Sequence, residues 1–185
     1  MAAVFPESFD AASLASPTEQ KVLAQLQTDL SGDWLILPGA TIQVRGEDRD
    51  ADIVLLHPDH GVVSLTVRDL DMSLFHGLWV DAPARQPIYP QPPRFALTNA
   101  RLLAEHIFNR TGLTFDVTWA VVLPETRNLE EVPGGLDRFR FICREDLGDI
   151  AGAVETLVAR APSSKPMTPD AIRAVVDAIS DVRAR

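Results

Sequence analysis

The spacing of hydrophobic residues along this chain is first typical of a helix, then of strands, and then of helices again. The segment Pro17–Leu30 carries an apolar stripe at helical spacing. Ahead of it, the motif Ser16-Pro17-Thr18-Glu19 supplies an N-cap serine, a proline at the first helical position and a glutamate three residues after the cap. The pattern therefore predicts a first helix over 17–30 that ends at Ser31-Gly32.

Between residues 34 and 68 the pattern shortens to alternation or to continuous apolar runs, which is typical of strands. It predicts strands near 34–37, 41–45, 51–56 and 62–68, arranged as an antiparallel meander. A further hairpin is predicted over 73–80, with its turn at His76-Gly77. The proline-rich segment 83–93 predicts a surface linker, because each proline removes a backbone donor and restricts the residue before it.

The second half of the chain predicts a long helix over 94–110 and then a strand over 114–123. The run Trp119–Leu123 is apolar enough for a central strand of the parallel type. A short strand over 138–143 and two helices, near 145–160 and 169–184, complete the pattern. This order predicts an α/β (α+β) fold with a mixed central sheet flanked by helices.

The opening residues 1–15 have no period, and we expect them to form an N-terminal arm that is either loose or draped on the body. The remaining residues, 16–185, are expected to form a single domain. The chain has 185 residues, of which 46% are hydrophobic. That is enough for one domain with a substantial core and short for two.

The charge balance argues against general binding to a polyanion. Lys and Arg total 17 against 26 Asp and Glu, which gives a formal net charge of -9. A protein with this excess of acid lacks the basic surface that sequence-independent nucleic-acid binding uses. Contact with nucleic acid is possible but disfavoured, and it would have to be local.

Three features predict a cytoplasmic protein without a membrane segment. The single cysteine, Cys143, excludes an intrachain disulfide and is interpreted as a buried free thiol. The N-terminus lacks a basic region followed by an apolar run, so no signal peptide is predicted. No run approaches the ~18 apolar residues that a membrane span needs.

The stretch from Asp50 to Arg68 is the part of the sequence that carries candidate chemistry. An acidic residue opens one strand, the turn His57–Gly61 reverses the chain, and a second strand carries polar side chains at alternate positions. This layout brings a carboxylate on one strand beside a pair at positions i and i+2 on the next strand. Phosphodiester hydrolysis needs a hard cation held by at least two carboxylates, together with a basic side chain.

Three pieces, in this order, resemble the nuclease-related domain (NERD) family of the PD-(D/E)XK nuclease superfamily. They are SPTEQKVLAQL at 16–26, DADIVLLHPDHGVVSLTVR at 50–68, and the helix that follows the proline-rich segment. The resemblance covers about residues 16 to 125. It implies a restriction-endonuclease-like core and a site at which magnesium or manganese is bound.

The resemblance also implies which positions would form the site. Glu19 matches the glutamate of the first helix, and Asp52 matches the aspartate at the end of the second core strand. Thr66 and Arg68 match the positions of the Glu-x-Lys pair, and both depart from it. A threonine hydroxyl is a poor ligand for magnesium, and an arginine keeps the charge of lysine but cannot lose a proton.

Both acidic residues could instead have structural roles that need no metal. A capping box accounts for Glu19 equally well, although its spacing to the apolar stripe places it at the end that faces the sheet. A salt bridge with Arg68 would account for Asp52, and we favour it slightly over metal binding. The family tends to place a glutamine near the start of the helix after the proline segment, and the residues from Pro93 to Leu97 contain none.

The remaining polar groups do not indicate a second site. His57 and His60 lie in one turn without a third ligand, and His76 and His106 are equally unremarkable. The arginines at 138, 140 and 144 form at most a small basic patch and are interpreted as surface charge. No serine has the histidine and aspartate context of a nucleophile.

The sequence therefore predicts a NERD-like nuclease fold with a degenerate site that acts as a binding or scaffolding module linked to nucleic-acid processing. Its protein partner is unknown, and no cofactor is expected. The alternative is an active DNA nuclease, dependent on Mg or Mn, that uses Glu19, Asp52 and a relocated acid. Asp50, Asp69 and Asp71 are the candidates for that acid, although alternation places Asp69 and Asp71 on the wrong face.

Overall fold

A six-stranded mixed sheet forms the centre of the computed structural model, which describes residues 1–14, 16–44, 46–133, 135–161 and 165–180. The strands in chain order are β1 (Ala3–Val4), β2 (Leu35–Val44), β3 (Glu47–His57), β4 (Gly61–Val67), β5 (Met72–Phe75), β6 (Leu78–Asp81), β7 (Gln86–Pro87), β8 (Thr118–Leu123) and β9 (Phe141–Cys143). The central sheet has the order β1-β2-β3-β4-β8-β9, and β5, β6 and β7 form a separate small sheet.

Helices cover both faces of the central sheet. They are α1 (Pro17–Asp29), α2 (Pro92–Thr111), α3 (Ile150–Arg160) and α4 (Pro169–Ser180). The buried side chains of α1 and α3 share one apolar cluster with β3, β4 and β8, whereas those of α2 and α4 pack with β2 and β3 in another. A third cluster joins α2 to β8, β9 and the small sheet.

The prediction of a mixed central sheet flanked by helices is confirmed. β2, β3 and β4 form the predicted antiparallel meander, and β4, β8 and β9 run parallel to one another. The predicted hairpin is formed by β5 and β6. This arrangement is consistent with the restriction-endonuclease-like core that the resemblance implies.

The prediction of two strands near 34–37 and 41–45 is wrong, because β2 continues from Leu35 to Val44. Pro38 and Gly39 lie between the two predicted strands, and Gly39 adopts φ of 55°, which lets β2 bend while Pro38 stays paired with Ile53. The side chains change faces at this bend. Leu37 and Ala40 lie in the same apolar cluster although their spacing is odd.

Several predicted boundaries also moved. β8 begins at Thr118 rather than at 114, and α2 begins at Pro92 inside the predicted linker, because two prolines suit a first helical turn. Residues 138–140 form a 3-10 turn, so the strand predicted over 138–143 is reduced to β9. Residues 144–149 are also 3-10, and α3 begins where Asp149 accepts the N–H of Gly152 at 3.0 Å. The predicted limits at residues 45 and 181–184 lie outside the described residues.

The first residues lie against the body of the protein. β1 pairs in parallel with the start of β2, and the N–H of Ala2 donates to the carbonyl oxygen of Gln27 at 3.1 Å. Within the part of the chain that the structure describes, no helix has both the length and the apolar character needed to cross a membrane.

Candidate functional site

Asp52 lies where β3 and β4 separate. The last pair in the ladder is Ile53 with Leu65, and the same register, if continued, would place Asp52 opposite Thr66 and Ala51 opposite Val67. Instead, the Oδ2 atom of Asp52 accepts the N–H of Val67 at 2.8 Å. The carboxylate therefore satisfies a backbone donor that the departing strand leaves behind.

Arg68 follows β4 directly and reaches the same carboxylate. Its Nη1 atom lies 3.5 Å from Oδ2 of Asp52 and donates to the carbonyl oxygen of Val67 at 2.9 Å. The guanidinium carbon lies 4.4 Å from the centre of the Phe95 ring on α2, at cation–π distance. The ion pair between Asp52 and Arg68 that the sequence favours is therefore present, and both side chains are largely buried.

Glu19 lies in the first turn of α1, close enough to this pair to sense its charges. Burial raises the pKa of Glu19, the charge of Asp52 raises it further, and Arg68 opposes the rise. The cap of α1 uses Ser16, whose Oγ atom accepts the N–H of Thr18 at 3.1 Å. The fold thus brings Glu19, Asp52 and Arg68 to one place, the end of the sheet beside the first helix.

The environment of Asp52 disfavours its ionised form. Burial raises the pKa of Asp52, while the hydrogen bond from Val67 and the charge of Arg68 lower it, and the net direction is upward. Burial is the largest cause of the raised pKa for both Glu19 and Asp52, so removal from water, more than repulsion between the acids, disfavours their charged forms.

Thr66 is buried within β4 and is 2% exposed. Alternation places it on the face of the sheet opposite to Val63, Leu65 and Val67, which pack in the apolar cluster of α1 and α3. Its side chain is neutral, so it adds no negative charge to the site.

The donor set does not fit the divalent metal that the resemblance implies. Magnesium is bound through carboxylates in near-ideal octahedral geometry. Here one oxygen of Asp52 already accepts a backbone N–H and lies next to a guanidinium, and Thr66 stands in place of an acid. Among the described residues, no group of three or more His, Cys, Asp and Glu side chains is arranged to hold a metal ion.

The three candidates for a relocated acid are not equivalent. Asp50 raises the pKa of both Glu19 and Asp52, so its charge lies within electrostatic reach of them. Its Oδ1 atom also accepts the hydroxyl of Thr41 at 3.3 Å. Asp69 and Asp71 are exposed in the segment that follows β4.

Sequence reasoning missed one glutamine at the start of α2. Gln91 is the N-cap residue of this helix, immediately before Pro92 and Pro93. Its amide accepts the N–H of Trp79 at 2.9 Å and donates to the carbonyl oxygen of Ile88 at 2.6 Å. The prolines at 92 and 93 mark the start of a helix and could have identified Gln91 as the residue before it. The hydrogen bonds of the Gln91 side chain hold the small sheet against the start of α2.

The turn histidines form a packed cluster rather than two separate polar residues. The ring of His57 lies 4.7 Å from that of Trp34 and 4.5 Å from that of His60. Nδ1 of His57 accepts the N–H of Asp59 at 3.1 Å, and burial lowers the pKa of His57. These contacts explain both residues by packing.

Arg138 and Arg140 do not lie on a strand, because residues 138–140 form a 3-10 turn. Arg138 donates to Asp146 at 3.0 Å and to the carbonyl oxygen of Phe141, so it fastens the turn to the body. Arg140 instead stacks on Trp119. Of the three arginines, Arg144 lies on the exposed surface as the sequence suggested.

Comparison of the chain with known protein-family models, with curated proteins and with solved structures found no match.

Proposed function

We propose that this chain is a NERD-like protein with a PD-(D/E)XK nuclease fold whose catalytic site has degenerated. In this proposal it acts as a binding or scaffolding module linked to nucleic-acid processing. The observation that carries the proposal is the pair of contacts made by Asp52. Its Oδ2 atom accepts the N–H of Val67 at 2.8 Å and lies 3.5 Å from Nη1 of Arg68.

The contacts of Asp52 support a structural role for a former metal ligand. A carboxylate that binds magnesium presents free lone pairs to the ion, and neighbouring cations compete with it. In this chain the guanidinium of Arg68 takes the position next to the carboxylate and is itself held by Phe95. The ion pair thus replaces the metal as the partner of the remaining acid.

A nuclease assay tests the proposal directly. The protein is incubated with single- and double-stranded DNA in the presence of magnesium or manganese, beside the variant Asp52→Ala. We expect no cleavage above the background that the variant gives. Cleavage by the unmodified protein that disappears in Asp52→Ala would overturn the proposal.

A restoration experiment tests the ancestry of the site. The double variant Thr66→Glu/Arg68→Lys supplies the missing acid and lysine, and we expect it to gain manganese binding by calorimetry. The matched control is Thr66→Gln/Arg68→Lys, which has nearly the same shape without the new charge. Both variants need a check of folding by circular dichroism, because Thr66 is buried. Equal manganese binding by the folded pair would argue against a former metal site.

A second candidate function is an active Mg- or Mn-dependent nuclease built from Glu19, Asp52 and Asp50, which would have to move together to bind the ion, because the described residues hold no group of three such side chains arranged for a metal. The electrostatic reach of Asp50 to both other acids favours it over Asp69 and Asp71 as the relocated ligand. In that case Asp50→Asn and Glu19→Gln would each abolish cleavage, whereas the exposed Asp71→Asn would not. The same DNA assay therefore separates the two candidates.

A further inference from the structure

A second concave site lies away from the Asp52 cluster, between α2 and the beginning of β8. Its cavity has a volume of about 460 Å³. It shares no lining residue with the Glu19, Asp52 and Arg68 site. Cavities of roughly this size accommodate small-molecule ligands.

The guanidinium of Arg140 is held in a fixed plane at one wall of this cavity. Its central carbon lies 4.6 Å from the centre of the Trp119 ring and 5.4 Å from that of Phe139. Its Nη1 atom donates to the carbonyl oxygen of Trp119 at 3.1 Å. These contacts reduce the freedom of the side chain, and a guanidinium that is already ordered loses less entropy when it binds a ligand.

The positive charge of Arg140 lacks a close counter-ion. Across the described ranges, no carboxylate lies within salt-bridge distance of it, whereas Arg138 pairs with Asp146 at 3.0 Å and Arg127 with Glu145 at 2.8 Å. Burial lowers the pKa of Arg140, and the charge of Asp137 opposes this shift without forming a salt bridge. A partly buried charge is unfavourable unless it is paired.

The rest of the lining supplies a second cation and an apolar surface. Arg101 of α2 is exposed, and Thr118 carries a hydroxyl group. The lining holds two arginines and one acid, Asp116, and the charge of Asp137 also acts on Arg140. The apolar part of the lining is Leu97, Ala100, Ala104, Phe115, Val117, Trp119 and Ala161.

We propose that this cleft binds a small anion that combines a carboxylate or phosphate head with a flat apolar body. The head group pairs with the guanidinium of Arg140, whose parallel N–H groups can donate to two oxygens of a carboxylate or phosphate. The positive charge of Arg101 adds to the attraction. The apolar body lies on Phe115 and the alanines of α2. The assignment goes beyond the proposed function and does not depend on the state of Asp52.

Two model anions and a neutral analogue test the assignment. Benzoate and phenyl phosphate carry the two head groups, and benzamide carries the same ring without charge. We expect calorimetry or ligand-observed NMR to give dissociation constants below about 1 mM for at least one of the anions, and binding to benzamide at least tenfold weaker. The stronger of the two anions identifies the head group.

Three arginine variants locate the site. Arg140→Gln should weaken binding of the anion at least tenfold. Arg101→Gln should weaken binding about two- to fivefold, because the charge of Arg101 is exposed and screened by salt. Arg173→Gln removes an exposed charge on α4, outside the cleft, and should leave binding unchanged. If Arg140→Gln alters the circular dichroism spectrum, Arg140→Lys replaces it, since lysine keeps the charge and loses the fork.

The assignment is overturned if neither anion binds at millimolar concentration. It is also overturned if benzamide binds as well as the anions, because the cleft would then be an apolar pocket only. Equal affinity of the unmodified protein, Arg140→Gln and Arg101→Gln would place the anion elsewhere. None of these results depends on nuclease activity, so a failure here leaves the proposed function standing.

Discussion

The Oδ2 atom of Asp52 serves two donors, the N–H of Val67 at 2.8 Å and Nη1 of Arg68 at 3.5 Å. The two contacts differ in what their loss would cost. Val67 is buried and pairs with Val122 of β8 but has no partner on β3, so its amide depends on this oxygen. If Asp52 were lost, the guanidinium of Arg68 would still donate to the carbonyl oxygen of Val67 and contact the ring of Phe95.

A pair of substitutions at Asp52 separates these contacts. Asp52→Asn keeps an oxygen acceptor of the same shape and loses the ion pair, so we expect the free energy of unfolding to change by less than about 1 kcal/mol. Asp52→Leu leaves the amide of Val67 unsatisfied and should cost about 1–3 kcal/mol. Urea denaturation measures both values. If the asparagine variant lost as much as the leucine variant, the ion pair would be the dominant contact.

The raised pKa values of Glu19 and Asp52 predict a stability that falls as the pH rises. The folded state binds protons at these groups more tightly than the unfolded chain does, so ionisation costs folding free energy. The pH range of this decline begins at the ordinary pKa values, 4.5 for Glu19 and 3.8 for Asp52, and ends at the higher pKa values of the folded state. Below this range the cost is absent.

Denaturant midpoints measured between about pH 4 and pH 7 test this dependence. The variant Glu19→Gln/Asp52→Asn should lose the decline across this range, because neither amide titrates. Glu130→Gln/Glu131→Gln removes two exposed charges and serves as the matched control. A decline that is equally steep in all three proteins would place its origin in other groups.

At the scale of elements, His106 joins three parts of the fold. It is 1% exposed and lies on α2. Nδ1 lies 3.2 Å from the amide nitrogen and 2.9 Å from the carbonyl oxygen of Gln43 in β2, and Nε2 lies 2.9 Å from the carbonyl oxygen of Ala178 in α4. With its proton on Nε2, the ring accepts from the amide of Gln43 and donates to Ala178, whereas a proton on Nδ1 would be donated to the carbonyl oxygen of Gln43. The imidazole therefore fastens the last described helix to the sheet.

Replacing His106 by alanine should loosen α4 first. The substitution leaves buried backbone groups unsatisfied and opens a cavity, so we expect a loss of about 2–4 kcal/mol in the free energy of unfolding. Hydrogen exchange should increase in α4 more than in α1, which packs on the other face. His76→Asn, at an exposed turn position with φ of 50°, is the control and should change little. Uniform exchange in both helices would contradict a local latch.

The elements that periodicity could predict are those whose local signals agree. α1 has a cap, a proline and an apolar stripe, and its observed bounds differ from the prediction by one residue. The pattern predicts two strands where β2 is continuous, because pairing with β3 keeps Pro38 and Ala40 in the ladder on either side of Gly39. Such tertiary pairing is not visible in a local window.

The site was predictable to a similar degree. Alternation and strand order were enough to place Asp52 beside Arg68, because the antiparallel pairing brings Asp52 of β3 level with the end of β4, which Arg68 follows. The engagement of Val67 was not predictable, since it depends on where β3 leaves β4. The cleft at Arg140 was missed because residues 138–140 looked like a strand, and a 3-10 turn presents the guanidinium differently.

For the molecule as a whole, the net charge of -9 sets a limit on nucleic-acid binding. Positive charge is locally concentrated at the cleft of Arg140, while Arg68 is paired with Asp52. A duplex that approaches such a surface meets repulsion over most of its length. We expect a dissociation constant weaker than about 10⁻⁴ M for duplex and single-stranded oligonucleotides at about 150 mM salt, measured by fluorescence anisotropy.

The dependence on salt is more informative than the affinity itself. Each phosphate that a protein neutralises on duplex DNA contributes roughly -0.9 to the slope of the logarithm of the binding constant against the logarithm of salt concentration. Since the net charge of this chain is -9, we expect a slope close to zero. Micromolar binding with a steep negative slope would require a continuous basic surface, which the charge distribution of this chain opposes. A module linked to nucleic-acid processing would then contact nucleic acid through a protein partner, and adding that partner should steepen the slope.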